Sequence, residues 1–249
     1  VEQAGFNLKV AVLHYHGTAE SQETIELLGR TVHIQHVGCD GDLDKMAAHI
    51  AELDGQVTAV ALTGVSKTLR LGKARVAHPA AEPLFNTAQQ TPVVDGAGVR
   101  AAMERWAVRL ADEAQPGIWS RKRVLMAPGL NHGGLAQALE QFTEELRYAD
   151  PIVYFALPQA PGVGSAETLA RVAEPTLNQL RAYPFRRLFP QAGETVRPRS
   201  PKLFEWADVL AGDMGGIRRY APKQLKRKVI VVESATEEDV VDLRERGVS

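Results

Sequence analysis

RVLMAPGLNHGGLAQALE, residues Arg123–Glu140, holds the signals that decide the fold of this chain. An apolar run of the kind that forms a buried strand leads into a loop with Gly129, Gly133 and Gly134, and a segment of helical apolar periodicity follows. Strand, glycine loop and helix in that order open a βαβ unit. Glycine lets a backbone approach a phosphate, and a helix N-terminus offers it N–H groups and positive dipole. Gly129, His132, Gly133 and Gly134 are therefore the candidate cofactor-binding residues. Asp150 follows Gly129 by 21 residues, where a dinucleotide site places an acid on the ribose hydroxyls; an acid there favours NAD over NADP. The loop reads G-x-x-x-G-G rather than G-x-G-x-x-G, and a plain βα turn is the competing reading.

Working outward, the same grammar recurs on both sides. Downstream, a helix is expected over about 134–146, a strand near Arg147–Ala149, a Pro/Gly loop at 160–164 and a helix around Ala166–Arg181. An irregular Pro- and Arg-rich stretch is expected from Tyr183 to Pro201. Strands are expected at Ala207–Asp213 and Lys228–Ser234, and a helix from the T-x-x-D cap at Thr236 through Arg246. Upstream, Lys9–His16, Arg30–Val37, Val57–Gly64 and Thr91–Gly98 read as strands, and Lys67–His78 reads as a hairpin turning at Gly72-Lys73. Helices are expected at Ser21–Leu28, from Asp42 to a C-terminal Gly55, near Pro83–Gln90, and over Val99–Ala114 with Val99, Met103, Trp106 and Leu110 along one stripe. The alternation predicts an α/β protein of two domains with mainly parallel sheets, the C-terminal one Rossmann-like. The Pro-Gly pair in Glu113–Ser120 sets the expected boundary: 1–117 as a substrate domain, 118–249 as a nucleotide-binding domain. The pattern calls for one more strand after Ser249.

Composition narrows the function classes. The 249 residues are 45% hydrophobic and 24% charged with a net charge of −1, a balance unlike that of a non-specific nucleic-acid binder. No apolar run is long enough to span a bilayer, and a single Cys39 excludes an internal disulfide, so a cytoplasmic setting is expected. Cys39 itself reads as a small buried residue. The expected partners are a small-molecule ligand and a second copy of the chain, with no nucleic acid and no membrane.

Four further groups carry chemistry by position. Asp95 and Asp213 each end a strand and precede glycines, in DGAG and DMGG; carboxyl ends of parallel strands are where ligands bind. There an acid can act as base or grip a hydroxyl, and the competing role is a helix N-cap. Asp95 is the candidate base, and Asp213 with Arg218 the candidate substrate-binding pair. Lys67, after the strand ending at Gly64, is a second candidate catalytic residue, since burial lowers a lysine pKa. His14-x-His16 has spacing that can begin a metal site, and two or more further ligands would be needed; His33 and His36 lie on a neighbouring strand with no helical H-x-x-x-H to help, so cleft or edge histidines are expected and no metal.

Together, DGDLDKMAAHIAELDG (Asp40–Gly55), TPVVDGAGV (Thr91–Val99), RVLMAPG (Arg123–Gly129), AGDMGGIRRYAP (Ala211–Pro222) and ATEEDVVDLRERGV (Ala235–Val248) resemble a bacterial family carried under the name quinate 5-dehydrogenase, over nearly the whole chain. The resemblance implies a two-domain α/β enzyme that oxidises a small hydroxylated carboxylic acid, quinate- or shikimate-like, with NAD or NADP as hydride acceptor. The catalytic N-x-T-x-P-x-K, N-T-D and G-A-G-G-A segments of shikimate and quinate dehydrogenases are not intact here; Asn86-Thr87-Ala88 is nearest to the second. No catalytic residue is therefore carried across by motif. The alternative class is a non-catalytic sensor or scaffold of the same architecture that binds a small anion or nucleotide.

Overall fold

The computed structural model describes residues 8–143, 145–156, 163–190 and 200–248. Parts of the expected loop at 160–164 and of the Pro- and Arg-rich stretch lie outside them. The chain divides into two compact units, 1–68 with 77–98 and 69–76 with 99–249. The division at Gly98 precedes the Pro-Gly pair taken as the boundary. That pair ends a helix without ending the unit: Trp119, just past it, is buried and its indole N–H donates to Val108 O at 3.0 Å.

The first unit is a five-stranded sheet. Its strands are β1 (Leu8–His14), β2 (Glu20–Leu27), β3 (Arg30–Gly38), β4 (Ala59–Thr63) and β7 (Val93–Val94), in the order β2-β3-β1-β4-β7. All neighbours are parallel except the β2–β3 hairpin. The helix expected over Ser21–Leu28 is β2. Leu28 and Gly29, both at positive φ, form the two-residue turn whose twist suits a hairpin, and it sets the register Leu27↔Arg30. Every residue of β2 is exposed, so no buried stripe marked its period. Helix α1 (Leu43–Leu53) is as expected: Asp42 caps it by accepting from Asp44 N and Lys45 N at 2.8 and 3.1 Å. Met46 and Ile50 on α1 are buried, as are Ala11, Leu13, Val60 and Leu62 on alternate strand positions. Cys39 is buried too. Val10, Val12, Ile34, Ala59 and Ala61, on the opposite face of the sheet, are only half-buried. The short α2 (Glu82–Phe85) completes this unit.

The second unit is a four-stranded, wholly parallel sheet in the order β11-β10-β8-β9: β8 (Val124–Met126), β9 (Leu146–Tyr148), β10 (Val209–Gly212) and β11 (Val229–Val232). Strands β8 and β10 are buried throughout, as central parallel strands are. Around them stand α4 (Gly133–Leu139), α5 (Asp150–Phe155), α6 (Ala166–Leu180), α7 (Phe185–Leu188), α8 (Pro201–Trp206), α9 (Met214–Tyr220) and α10 (Glu237–Glu245). Helix α4 stops before the expected 146. Thr143 donates its hydroxyl to Lys122 O and accepts from Glu145 N, which turns the chain into β9. α7 falls in the stretch expected to be irregular, and α8 begins at its last residue, Pro201. The Thr236–Asp239 capping box of α10 forms as expected.

The hairpin β5 (Thr68–Leu71) and β6 (Ala74–Ala77) turns at Gly72-Lys73 and belongs mainly to this second unit. Helix α3 (Ala97–Ala114) also belongs mainly to it, but not by the stripe expected to be its core. Glu104 and Val108 face inward, while Met103 and Trp106 are 65% and 64% exposed. Val99 and Leu110 share that outward face.

Candidate functional site

The loop 127–132 after β8 and the turn at Asp213 after β10 lie at the carboxyl ends of two adjacent central strands. Gly129 N and Leu130 N donate to the two oxygens of Asp150 at 2.8 and 3.0 Å, and Asp150 is completely buried. Asn131, at positive φ, accepts from Arg70 N at 2.8 Å and donates its own N–H to Arg70 O at 2.7 Å, so the hairpin pins the loop. His132 follows, buried, with Nδ1 at 2.7 Å from Glu104 Oε1. The other oxygen of Glu104 accepts from Leu135 N at 3.1 Å. Of the N–H groups in the loop and the first turn of α4, those of Gly129 and Leu130 thus donate to Asp150 and that of Leu135 to Glu104. Asp150, with both oxygens engaged and none exposed, grips the loop rather than presenting itself to a ribose. A dinucleotide's ribose would therefore find no free acid at Asp150.

The glycines follow the same logic. A Cβ on Gly129 would meet Tyr148 at 2.4 Å, and one on Gly134 would meet Ala101 O, in α3, at 2.5 Å. In the DMGG turn, a Cβ on Gly216 would meet Pro128 at 2.6 Å, and one on Gly215 would collide with Pro190 O. These four let loop and helices pack closely. Gly133 differs, having open space where its Cβ would stand.

Asp213 is the N-cap of α9, accepting from Gly216 N at 2.8 Å. Arg218 pairs with the buried Asp239 of α10 instead of facing a substrate. Asp95 and Lys67 belong to the first unit. Asp95 accepts from Lys67 N at 3.0 Å and from Ala97 N at 3.1 Å. Since α3 starts at Ala97 rather than Val99, the carboxylate reaches the first helical N–H and holds two backbone segments. Lys67 is exposed, with Nζ 5.4 Å from the centre of the Phe85 ring.

Among the expected residues, the structure gathers Gly129, His132, Asp150 and Asp213. Glu104, which no sequence motif marks, joins them. It lies 28 residues before His132 on another element, and its only local sign is the Ala101–Glu104–Val108 spacing opposite the apolar stripe.

Burial pushes the Asp150 carboxyl up to about 6, against the pull of the Gly129 and Leu130 N–H groups and of His132. Asp213 is raised too, chiefly by burial, with His132 pulling the other way. His132 therefore stands within electrostatic reach of both acids while Glu104 fixes its Nδ1. For Asp150, a folded value above the unfolded one means that its contribution is full below about pH 4 and is lost as pH rises through about 6, a fall of roughly 3 kcal/mol. Denaturant unfolding between pH 4 and 7 should show that fall in the natural chain and lack it in Asp150→Asn. Equal pH profiles would remove Asp150 as its source.

Among the described residues, no group of three or more His, Cys, Asp and Glu is placed to hold a metal ion, and no helix is long and apolar enough to cross a membrane. Two family models match the sequence. One, described as domain of unknown function DUF8753, covers residues 10–95; the other, domain of unknown function DUF8754, covers residues 98–249. Their junction coincides with the division at Gly98. No curated protein matches the chain.

Proposed function

The chain belongs to the family described as domain of unknown function DUF8754, and on that premise we propose that its second unit is a proton-transfer centre for a small hydroxylated carboxylic acid, with His132 as the base. The observation that carries the reading is the buried 2.7 Å contact between His132 Nδ1 and Glu104. A carboxylate on one ring nitrogen selects the tautomer, orients the ring and stabilises the imidazolium formed when the other nitrogen takes a proton. The strand order supports the location. β8 lies between β9, the next strand in the chain, and β10, so the chain reverses direction across the sheet beside β8, and ligands bind at such switch points in Rossmann-like sheets. The substrate class comes from the resemblance to quinate 5-dehydrogenase. In that enzyme class NAD or NADP, when bound, accepts the hydride. The cytoplasm is the setting of this reading.

A second reading, a non-catalytic small-ligand sensor of the same architecture, is favoured by the Gly129, Leu130 and Leu135 N–H groups that the protein's own carboxylates hold. A homodimer accompanies either one. Val99, Met103, Trp106 and Leu110 follow coiled-coil seam spacing on the outward face of α3, and Arg109 beside them is neutralised by Glu113.

The test is quinate and shikimate binding by calorimetry, with and without NAD(H) or NADP(H), followed by turnover. His132→Gln is expected to leave substrate affinity within a few-fold and to lower kcat by at least about 10²-fold. Unchanged turnover in that variant would overturn the assignment of the base, whereas binding without turnover in the natural chain selects the sensor. Sedimentation of the same samples reports the dimer.

A further inference from the structure

Strand β1 ends on His14, whose register partners are Gly38 on β3 and Thr63 on β4. Aligned residues of a parallel pair turn to the same face, so His14 and Thr63 share the side of the sheet opposite Leu13, and His36, aligned with Val12, joins them. Antiparallel β2 brings Glu23 to that face through its partner Ile34.

The four side chains form one hydrogen-bonded chain. Thr63 Oγ1 lies 2.9 Å from His14 Nδ1, His14 Nε2 lies 2.9 Å from His36 Nδ1, and His36 Nε2 lies 3.2 Å from Glu23 Oε1. With Glu23 ionised, a single proton assignment satisfies all three contacts. His36 Nε2–H donates to Glu23, His14 Nε2–H donates to His36 Nδ1, and the Thr63 hydroxyl donates to His14 Nδ1. The two rings stack with centroids 5.2 Å apart. Every ring nitrogen is then engaged, so the chain acts on another molecule only at its ends, and the end beside the base is the exposed Thr63 hydroxyl. A cavity of about 520 Å³, lined by His14, His16, Ser21, Glu23 and His36 among others, opens beside the two histidines, a size suited to a small organic ligand.

We propose that Thr63 is a hydroxyl nucleophile for acyl transfer from a small carboxylic ester, with His14 as its base and His36 and Glu23 as positioning residues. Thr63 Oγ1 bonds to the ester carbonyl carbon as its proton passes to His14 Nδ1. The tetrahedral intermediate collapses by breaking the bond to the alcohol oxygen, and the alcohol leaves with that proton. Water, deprotonated by the same nitrogen, then attacks the acyl-threonine. The carboxylic acid departs and Thr63 regains its proton. Nucleophile, base and orienting group within hydrogen-bond reach are the signature of such a site. Burial, and then the neighbouring His36, hold the His14 imidazole below its ordinary value, which favours the neutral form that can accept a proton.

A fluorophosphonate probe tests this on the full chain, with intact mass and peptide mapping as the readout. One adduct on Thr63 is expected, retained in Thr63→Ser, absent in Thr63→Val and formed at least about 10²-fold more slowly in His14→Gln. With p-nitrophenyl acetate, Glu23→Gln is expected to lower kcat roughly 10-fold with KM and Tm unchanged, a split that loss of packing alone does not produce. No adduct on the natural chain, or an adduct mapped to another residue, overturns the proposal whether or not any variant folds.

Discussion

Gly134→Ala is expected to cost roughly 3 kcal/mol, while Gly133→Ala, one residue away with the identical chemical change, is expected to gain about 0.4–1 kcal/mol. The added methyl at Gly134 would stand 2.5 Å from Ala101 O and 2.6 Å from Ala101 Cα, backbone atoms that move only if α3 moves. At Gly133 nothing lies within 4 Å, φ is not in the left-handed region, and alanine mainly restricts the unfolded chain. For a chain of this length the difference corresponds to about 6–15 °C in Tm, measurable by calorimetry. Equal melting temperatures would show that α3 does not pack on the start of α4 in solution. The pair also separates packing from ligand binding. A Gly133 variant that loses affinity cannot be dismissed as misfolded, whereas a Gly134 variant can.

Glu104→Ala is expected to destabilise by about 3–5 kcal/mol, the range for breaking a buried pair from one side. The substitution strands His132 Nδ1 and Leu135 N in a site where His132 and Glu104 are 4% and 5% exposed, leaving both without their acceptor. Glu104→Gln retains the shape and one acceptor oxygen, so its cost should be clearly smaller. Urea unfolding of the three proteins gives the comparison, and an alanine variant within about 0.5 kcal/mol of the natural chain would refute a held contact. The same substitution bears on function. If His132 is a base, Glu104→Gln should lower kcat in the fraction that remains folded, because the carboxylate that stabilises the imidazolium is gone.

Much of the architecture was legible in local signals. The strand RVLM, the Asp42 cap with Met46 and Ile50 at helical spacing, the Gly72-Lys73 hairpin and the Thr236–Asp239 box each rest on residues a few positions apart, and each stands in the structure as read. β2 was misread because its register depends on a hairpin partner: a fully exposed edge strand carries no inward stripe to report its period. The stripe on α3 was real as a pattern, but an apolar stripe states only that some surface suits burial, and in the tertiary structure Ala101, Glu104 and Val108 supply the contact instead.

The candidate site divides along the same line. By itself the sequence determined that acids and glycines would gather where strands end, because parallel βα units put their loops there. Only the tertiary structure decided what those groups bind. A carboxylate satisfies whichever N–H groups are nearest in space. Asp150 met Gly129 and Leu130 across 20 residues of chain, and Glu104 met His132 and Leu135 from a different helix. Thr63, His14, His36 and Glu23 came into one line from four strands whose order no local pattern specifies. Hydrogen bonds of about 3 Å are decided by packing between segments distant in the chain, and that packing is the information a one-dimensional reading lacks.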